Sequence, residues 1–172
     1  SGKLPLTVAR SVGQLKMFYN HKHSMYFRDY AMQTNKPLYS FGFGLSYTKF
    51  DISAPKLNSS KFKKGILSVS VNVKNVGEIA GDEIVQLYIS DKYSSMTRPV
   101  KELKAYQRVS LKPGESKEIV FELNKSAFAY YYSYINYVVD AGYFDILVGN
   151  FLFDEDLKNS NFNIEKTFYL SY

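Results

Sequence analysis

Cysteine is absent from the 172 residues, which excludes disulfides, thiol catalysis and cysteine-ligated metals but leaves the compartment open. Tryptophan is absent as well. No apolar run reaches the roughly 18 residues of a membrane-spanning helix, so no membrane partner is expected. No secretory leader is visible, and a start at Ser1 rather than Met leaves any leader of a longer parent out of view. Helical periodicity is scarce: only 125–130 has room for a short turn, with Asn124 as its cap. What abounds is tyrosine and phenylalanine, 16 and 13 residues. Such side chains pack well on a half-buried pleated surface, which points to an all-β fold. Hydrophobic residues at 45% and charged ones at 22% are ordinary for a globular domain. The length suits one domain plus an arm and is enough to bury a core without metals.

The net charge of +6 raises nucleic acid as a partner, so the placement of the basic residues matters. They are scattered. Lys61, Lys63 and Lys64 form the one tight group, in a loop beside Gly65, and no basic stripe with interleaved stacking aromatics accompanies them. No nucleic-acid partner is therefore expected. Asn58-Ser59-Ser60 and Asn124-Lys125-Ser126 match the glycosylation triplet, a pattern short enough to arise by chance.

From Tyr47 onward the sequence reads as strand after strand with turns between, the pattern of an antiparallel sandwich. In 66–74, Leu67, Val69, Val71 and Val73 alternate with Ser68, Ser70, Asn72 and Lys74, so one face is core and the other wet. The same alternation recurs at Val85, Leu87 and Ile89, at Ile119, Phe121 and Leu123, and at Phe144, Ile146 and Val148. Phe162, Ile164, Phe168 and Leu170 share a parity near the end. Asn75-Val76-Gly77, Lys112-Pro113-Gly114-Glu115 and Asp140-Ala141-Gly142 mark turns. With strands near 47–52 and 103–109 the count is about seven, as in an immunoglobulin-like sandwich. Residues 1–45 lack periodicity and read as an arm. Its large side chains Phe18, Tyr19, Tyr26, Phe27 and Tyr30 are expected to pack on the sandwich or on a neighbouring domain.

Candidate chemistry is thin. A glycosidase needs two facing carboxyl groups, and no such pair stands out. Asp91 falls at a strand end and reads as a solvated loop carboxylate. Gly42-Phe43-Gly44 lacks the third glycine and the helix of a phosphate loop; its glycines read instead as places where the backbone passes closely beneath Phe41 and Phe43. His21 and His23 have no third ligand nearby, and Asp154-Glu155-Asp156 lacks the glycine and alternating oxygens of a calcium loop. No metal, cofactor or catalytic residue is expected. Tyr130-Tyr131-Tyr132, with Tyr134 and Tyr137, admits two readings: a sugar-stacking platform, or hairpin packing with Tyr131 inward and its neighbours outward. Packing is the reading adopted. Arg98 and Glu102, around Pro99, suggest a loop pinned by ion pairing.

Two segments carry a family resemblance: KPLYSFGFGLSY at 36–47 and VQLYISDKYSSMTRPVKELKAYQRVSLKPGES at 85–116. Both resemble the C-terminal, fibronectin type III-like domain of glycoside hydrolase family 3, whose members include β-glucosidases and β-xylosidases. The opening, SGKLPLTVARSVGQLKMFYN followed by His21-Lys22, is similar to the end of that family's second domain and its linker. The resemblance implies that 1–45 is the end of a preceding domain with its linker arm and that 46–172 is the sandwich. It implies a parent enzyme that hydrolyses terminal β-linked sugars with retention and needs no organic cofactor. The family's nucleophilic aspartate lies on its first domain and the acid/base residue on its second, so this chain alone is expected to be silent. Lys92 stands where the nucleophile motif has tryptophan, which removes Ser90-Asp91 from contention; Ser40 replaces a usual proline, and Tyr137 a common tryptophan. The implied partners are the catalytic domains, with carbohydrate at the rim of the site, and the implied location is periplasmic or secreted. The alternative reading is an autonomous module that binds polysaccharide or protein through its tyrosines.

Overall fold

Alternation of β-branched and polar residues at 67–75 becomes β3 (Leu67–Asn75), whose odd positions are buried throughout. A computed structural model describes residues 2–14, 17–22, 34, 36–59, 65–132, 136–150, 157–164 and 168–170. Before β3 lie β1 (Phe50–Ile52) and β2 (Lys56–Leu57), and after it β4 (Gly81–Asp91), β5 (Glu102–Leu111) and β6 (Ser116–Leu123). A 310 turn at Lys125–Phe128 precedes β7 (Tyr130–Tyr132), β8 (Asn136–Val139), β9 (Gly142–Gly149), β10 (Lys158–Ile164) and β11 (Phe168–Leu170). Asn124 occupies the cap position of the turn without a side-chain cap bond. Its Oδ1 accepts from Ser126 Oγ instead.

All strand pairs are antiparallel. In one sheet β6 runs along one side of β3, and β1 and β2 share the other side. These two short strands act as one interrupted edge, because the Ser53 N–H between them still donates to the Asn72 carbonyl at 2.9 Å. The second sheet has the order β10-β9-β4-β5, and β11-β8-β7 forms a small third sheet. Counting β1 and β2 together, the two larger sheets hold seven strands, the number the turn spacing suggested. The third sheet holds the expected tyrosine hairpin β7–β8; that β11 joins it, apart from β10, was not expected.

The core lies between the larger sheets. Val69, Val71, Val73 and Ile119 from one meet Val85, Leu87, Phe144 and Ile146 from the other, all essentially solvent-free, and Phe128 packs edge-on to Phe144 with ring centroids 5.3 Å apart. Glu118 and Glu122 stay outside on β6, as the parity requires. At one corner Asn75 is wholly buried and fully satisfied. Its Oδ1 accepts from Thr48 Oγ1 (2.7 Å) and the Gly77 N–H (3.1 Å), while Nδ2 donates to the Ile79 (2.8 Å) and Leu111 (3.1 Å) carbonyls. A single amide thus ties the entry to β1, the turn after β3 and the end of β5.

Candidate functional site

Besides the Asn75 corner, polar groups are gathered inside the fold in the loop between β4 and β5 and on the outer face of β4. The loop is organised by Arg98, which is buried. Nη1 donates to Asp91 Oδ2 at 3.0 Å and to the Phe128 carbonyl at 2.9 Å, and Nη2 donates to Glu102 Oε2 at 2.8 Å. The guanidinium also stands 5.2 Å from the centre of the Tyr130 ring. Tyr130 passes the network on: its hydroxyl donates to Asp140 Oδ2 at 2.6 Å, which also accepts from the N–H and Oγ of Ser95. Burial pushes the Asp140 carboxyl up, but the bonds from Tyr130 and Ser95 and the charge of Arg98 outweigh it and hold the group below its ordinary value. A rigid fork with five donors suits this task in a way a lysine does not.

The pinned-loop reading of Arg98 and Glu102 matches this geometry, whereas the reading of Asp91 does not. Asp91 is a buried ion-pair partner, not a solvated carboxylate; its side chain is 1% exposed. Burial raises its carboxyl above the ordinary value despite the opposing Arg98 charge. The residue sits at the end of β4, where alternation predicts exposure, and the arginine that encloses it is seven residues away in sequence. In the tyrosine run Tyr132 is exposed as read, but Tyr130 and Tyr131 exchange roles. Tyr131 is 65% exposed, while Tyr130 turns toward Arg98 and Asp140. Tyr131 meets its cross-strand partner Tyr137 at 5.0 Å with the rings inclined by 43°, so the pair packs as a hairpin contact and offers no flat platform for a sugar ring.

The outer face of β4 should be wet by alternation, yet Gln86 and Tyr88 are buried. The arm covers them. Leu4 donates to the Phe43 carbonyl and accepts from the Gly42 N–H, and Val8 pairs with Tyr39, so 4–8 and 39–43 form a narrow antiparallel ribbon. Gly42 has φ +79°, and a Cβ there would come within 2.5 Å of Gln86 Oε1; glycine is required both for the backbone angle and for the close approach. Lys3 reaches Glu83 at 2.7 Å, both side chains being buried. Tyr88 donates to Gln86 Oε1. Burial and the neighbouring Tyr19 hydroxyl raise the Tyr88 hydroxyl far above its ordinary value. Tyr19 stacks on Phe41 at 4.2 Å and accepts a hydrogen bond from the Leu103 backbone, where a register shift interrupts the β4–β5 pairing. The Val100 N–H donates to the His21 carbonyl at 2.9 Å, which ties the arm to the pinned loop.

Among the described residues no group of three or more His, Asp or Glu is placed to hold a metal. His23, Tyr26, Phe27, Tyr30, Lys61, Lys63, Lys64, Tyr134 and Asp154-Glu155-Asp156 lie outside the described residues, as do the side chains of Phe162, Ile164, Phe168 and Leu170. Sequence reasoning missed Asn75, Glu83, Gln86 and Tyr88. The one available signal was the near-continuous apolar reading of 84–89, which suits a strand buried on both faces.

Sheet order, strand number and the pinned end loop together define a fibronectin type III-like sandwich that carries an arm on its outer face. The family model described as a fibronectin type III-like domain matches residues 83–151. A putative β-xylosidase of Formosa agariphila is 38% identical over 167 residues, covering 96% of this chain and 22% of its own length. Thermostable β-glucosidase B of Acetivibrio thermocellus is 48% identical over 151 residues, covering 83% of this chain and 20% of its own length. The solved structure of a β-glucosidase from Erythrobacter marinus superposes with a TM-score of 0.90 at 39% identity, over 95% of this chain and 22% of that one. The chain belongs to the fibronectin type III-like domains carried by the β-glucosidases and β-xylosidases of glycoside hydrolase family 3. It spans about a fifth to a quarter of the length of these relatives.

Proposed function

We propose that this chain is the C-terminal accessory module of a retaining glycoside hydrolase that cleaves terminal β-linked sugars, silent alone and acting by bracing the catalytic domains. The observation that carries the reading is the coverage: 95–96% of this chain matches about a fifth of β-xylosidase and β-glucosidase polypeptides. The arm, residues 1–45, is the end of a preceding domain with its linker, and 46–172 is the sandwich. The described loop network supports a mechanical role, because its charged groups are spent on one another and not presented to a ligand. The inclined Tyr131–Tyr137 pair weighs against an autonomous sugar-binding module.

Release of chromophore from aryl β-glucoside and β-xyloside tests the reading. Residues 1–172 should match a buffer blank, and a longer polypeptide that carries the chain should turn over one of the two substrates. Turnover by residues 1–172 would refute the accessory role; an inactive longer polypeptide would refute the glycosidase parentage.

A further inference from the structure

Parity sends Phe144, Ile146 and Val148 of β9 into the core and turns Asp145 and Leu147 to the outer face of the sheet, yet Asp145 is only 6% exposed. Its ion-pair partner is Lys92, just past the end of β4, whose side chain is half exposed. This pair differs from the other two with a buried carboxylate. Lys3–Glu83 fastens the arm and Arg98–Asp91 fastens the β4–β5 loop, whereas Lys92 and Asp145 stand on strands that the backbone already joins. Ser90 is the ladder partner of Asp145, and the Lys92 N–H donates to the Tyr143 carbonyl at 3.0 Å. An ion pair so placed adds little net stability. It opens instead onto a cleft of about 320 Å3 bounded by the end of β4, the pinned loop and β9. Lys101 and Asp91 also line the cleft, and Leu147 and Val100 give it an apolar wall.

Charge and shape select the ligand. The described lining carries two charges of each sign, so neither an anion nor a cation is favoured there. A neutral molecule with adjacent hydroxyls is favoured, because each hydroxyl can donate to the Asp145 carboxylate or accept from the Lys92 ammonium while ring C–H groups rest on Leu147 and Val100. The volume lies at the small end of the roughly 300–1,000 Å3 of small-molecule sites, which suits one ring. We infer that this cleft is a binding site for a single neutral sugar unit, held at a vicinal diol by Asp145 and Lys92. The choice of a sugar among polyols rests on the proposed parentage. The site holds its ligand without cleaving it: Asp91 is engaged by Arg98, which leaves Asp145 alone among the described residues of the lining, and β-glycoside hydrolysis needs two carboxyl groups.

Amide NMR spectra of residues 1–172, titrated with methyl β-glucoside and with methyl β-xyloside, test this. Saturable shifts at the amides of 90–92, 100–101 and 145–147 are expected for at least one of the two, with an affinity in the millimolar range. Asp145→Asn and Lys92→Met should each weaken binding roughly tenfold or more, and the same spectra report whether the variants are folded. No shift at these amides, shifts confined to Tyr131 and Tyr137, or undiminished binding by both folded variants would overturn the inference. Unmodified protein alone decides the ligand class. Glucuronate or inorganic phosphate acting on these amides at lower concentration would overturn the neutral ligand, and myo-inositol binding as well as the glycosides would overturn the sugar. Release of chromophore from aryl β-glycosides by the complete polypeptide is read separately. Binding without release would remove the glycosidase parentage and keep the cleft, and release without binding would remove the cleft alone.

Discussion

Replacing Arg98 by methionine removes a buried cation and leaves its partners behind. Asp91, 1% exposed at the side chain, would keep the Tyr93 N–H at 3.1 Å but lose its charge partner. Breaking a buried pair by deleting one partner costs about 3–5 kcal/mol. The bond to the Phe128 carbonyl adds about 1 kcal/mol, whereas Glu102 is part-exposed and finds water. A loss of about 4–6 kcal/mol lowers the melting temperature of a domain this size by roughly 8–24 °C. The deficit should depend on pH. Burial already raises the Asp91 carboxyl against the pull of Arg98, and without the guanidinium only the Tyr93 N–H still opposes it. A raised folded-state value gives a contribution that is fully present below the unfolded carboxylate range and is lost as pH climbs through the folded value. The gap between wild type and Arg98→Met should therefore be widest near neutrality and narrow toward pH 4. Urea melts of both proteins across that range measure it. Arg98→Lys should recover only part, since one ammonium cannot serve the three acceptors in fork geometry. A gap that is small, or constant with pH, would mean that Asp91 is hydrated and that the loop is not held by this arginine.

Two further outcomes test the layers of the fold. Val71→Asp should abolish cooperative unfolding whereas Asn72→Asp should stay close to wild type by circular dichroism, because the two side chains point to opposite faces of β3; equal losses would mean a misregistered strand. Residues 46–172 alone should still unfold cooperatively, but at a lower temperature. Uncovering Tyr88 alone forfeits about 1.5–3 kcal/mol of burial, so an unchanged melting temperature would show that the arm does not cover β4 in solution.

Much of the sandwich was legible because its strands obey one rule. Period-two alternation named the inward residues of β3, β4, β6 and β9 correctly, and the glycine and proline clusters located the turns. What alternation cannot reveal is a second burying layer. Gln86 and Tyr88 look like the wet face of β4 until a ribbon drawn from 4–8 and 39–43 is laid over them, and those two segments, 30 residues apart, carry no periodic signal of their own. Asn75 was read only as part of a turn, since no local pattern announces that its side chain bonds to four separate points. Asp91 failed for the same reason as Gln86: its environment is supplied by a residue outside its own strand. The tyrosine run failed differently. β7 is three residues long, too short for the core to dictate parity, and the pull of Arg98 and Asp140 on Tyr130 decided which ring turned in.

The distribution of buried charge bears on the bracing role proposed for this module. Lys3–Glu83 and Arg98–Asp91 are both buried and paired, and each joins a strand of the sandwich to a segment that alternation would leave loose: the arm in one case, the β4–β5 loop in the other. Buried pairs of this type add little net stability compared with apolar packing, but a wrong arrangement leaves a charge unpaired and is therefore strongly disfavoured. Their effect is to select one placement of arm and loop among several that the apolar core alone would permit. The backbone bond from Val100 to His21 then links the two placements. A brace that must hold a separate catalytic unit in register needs this uniqueness of placement more than it needs additional stability.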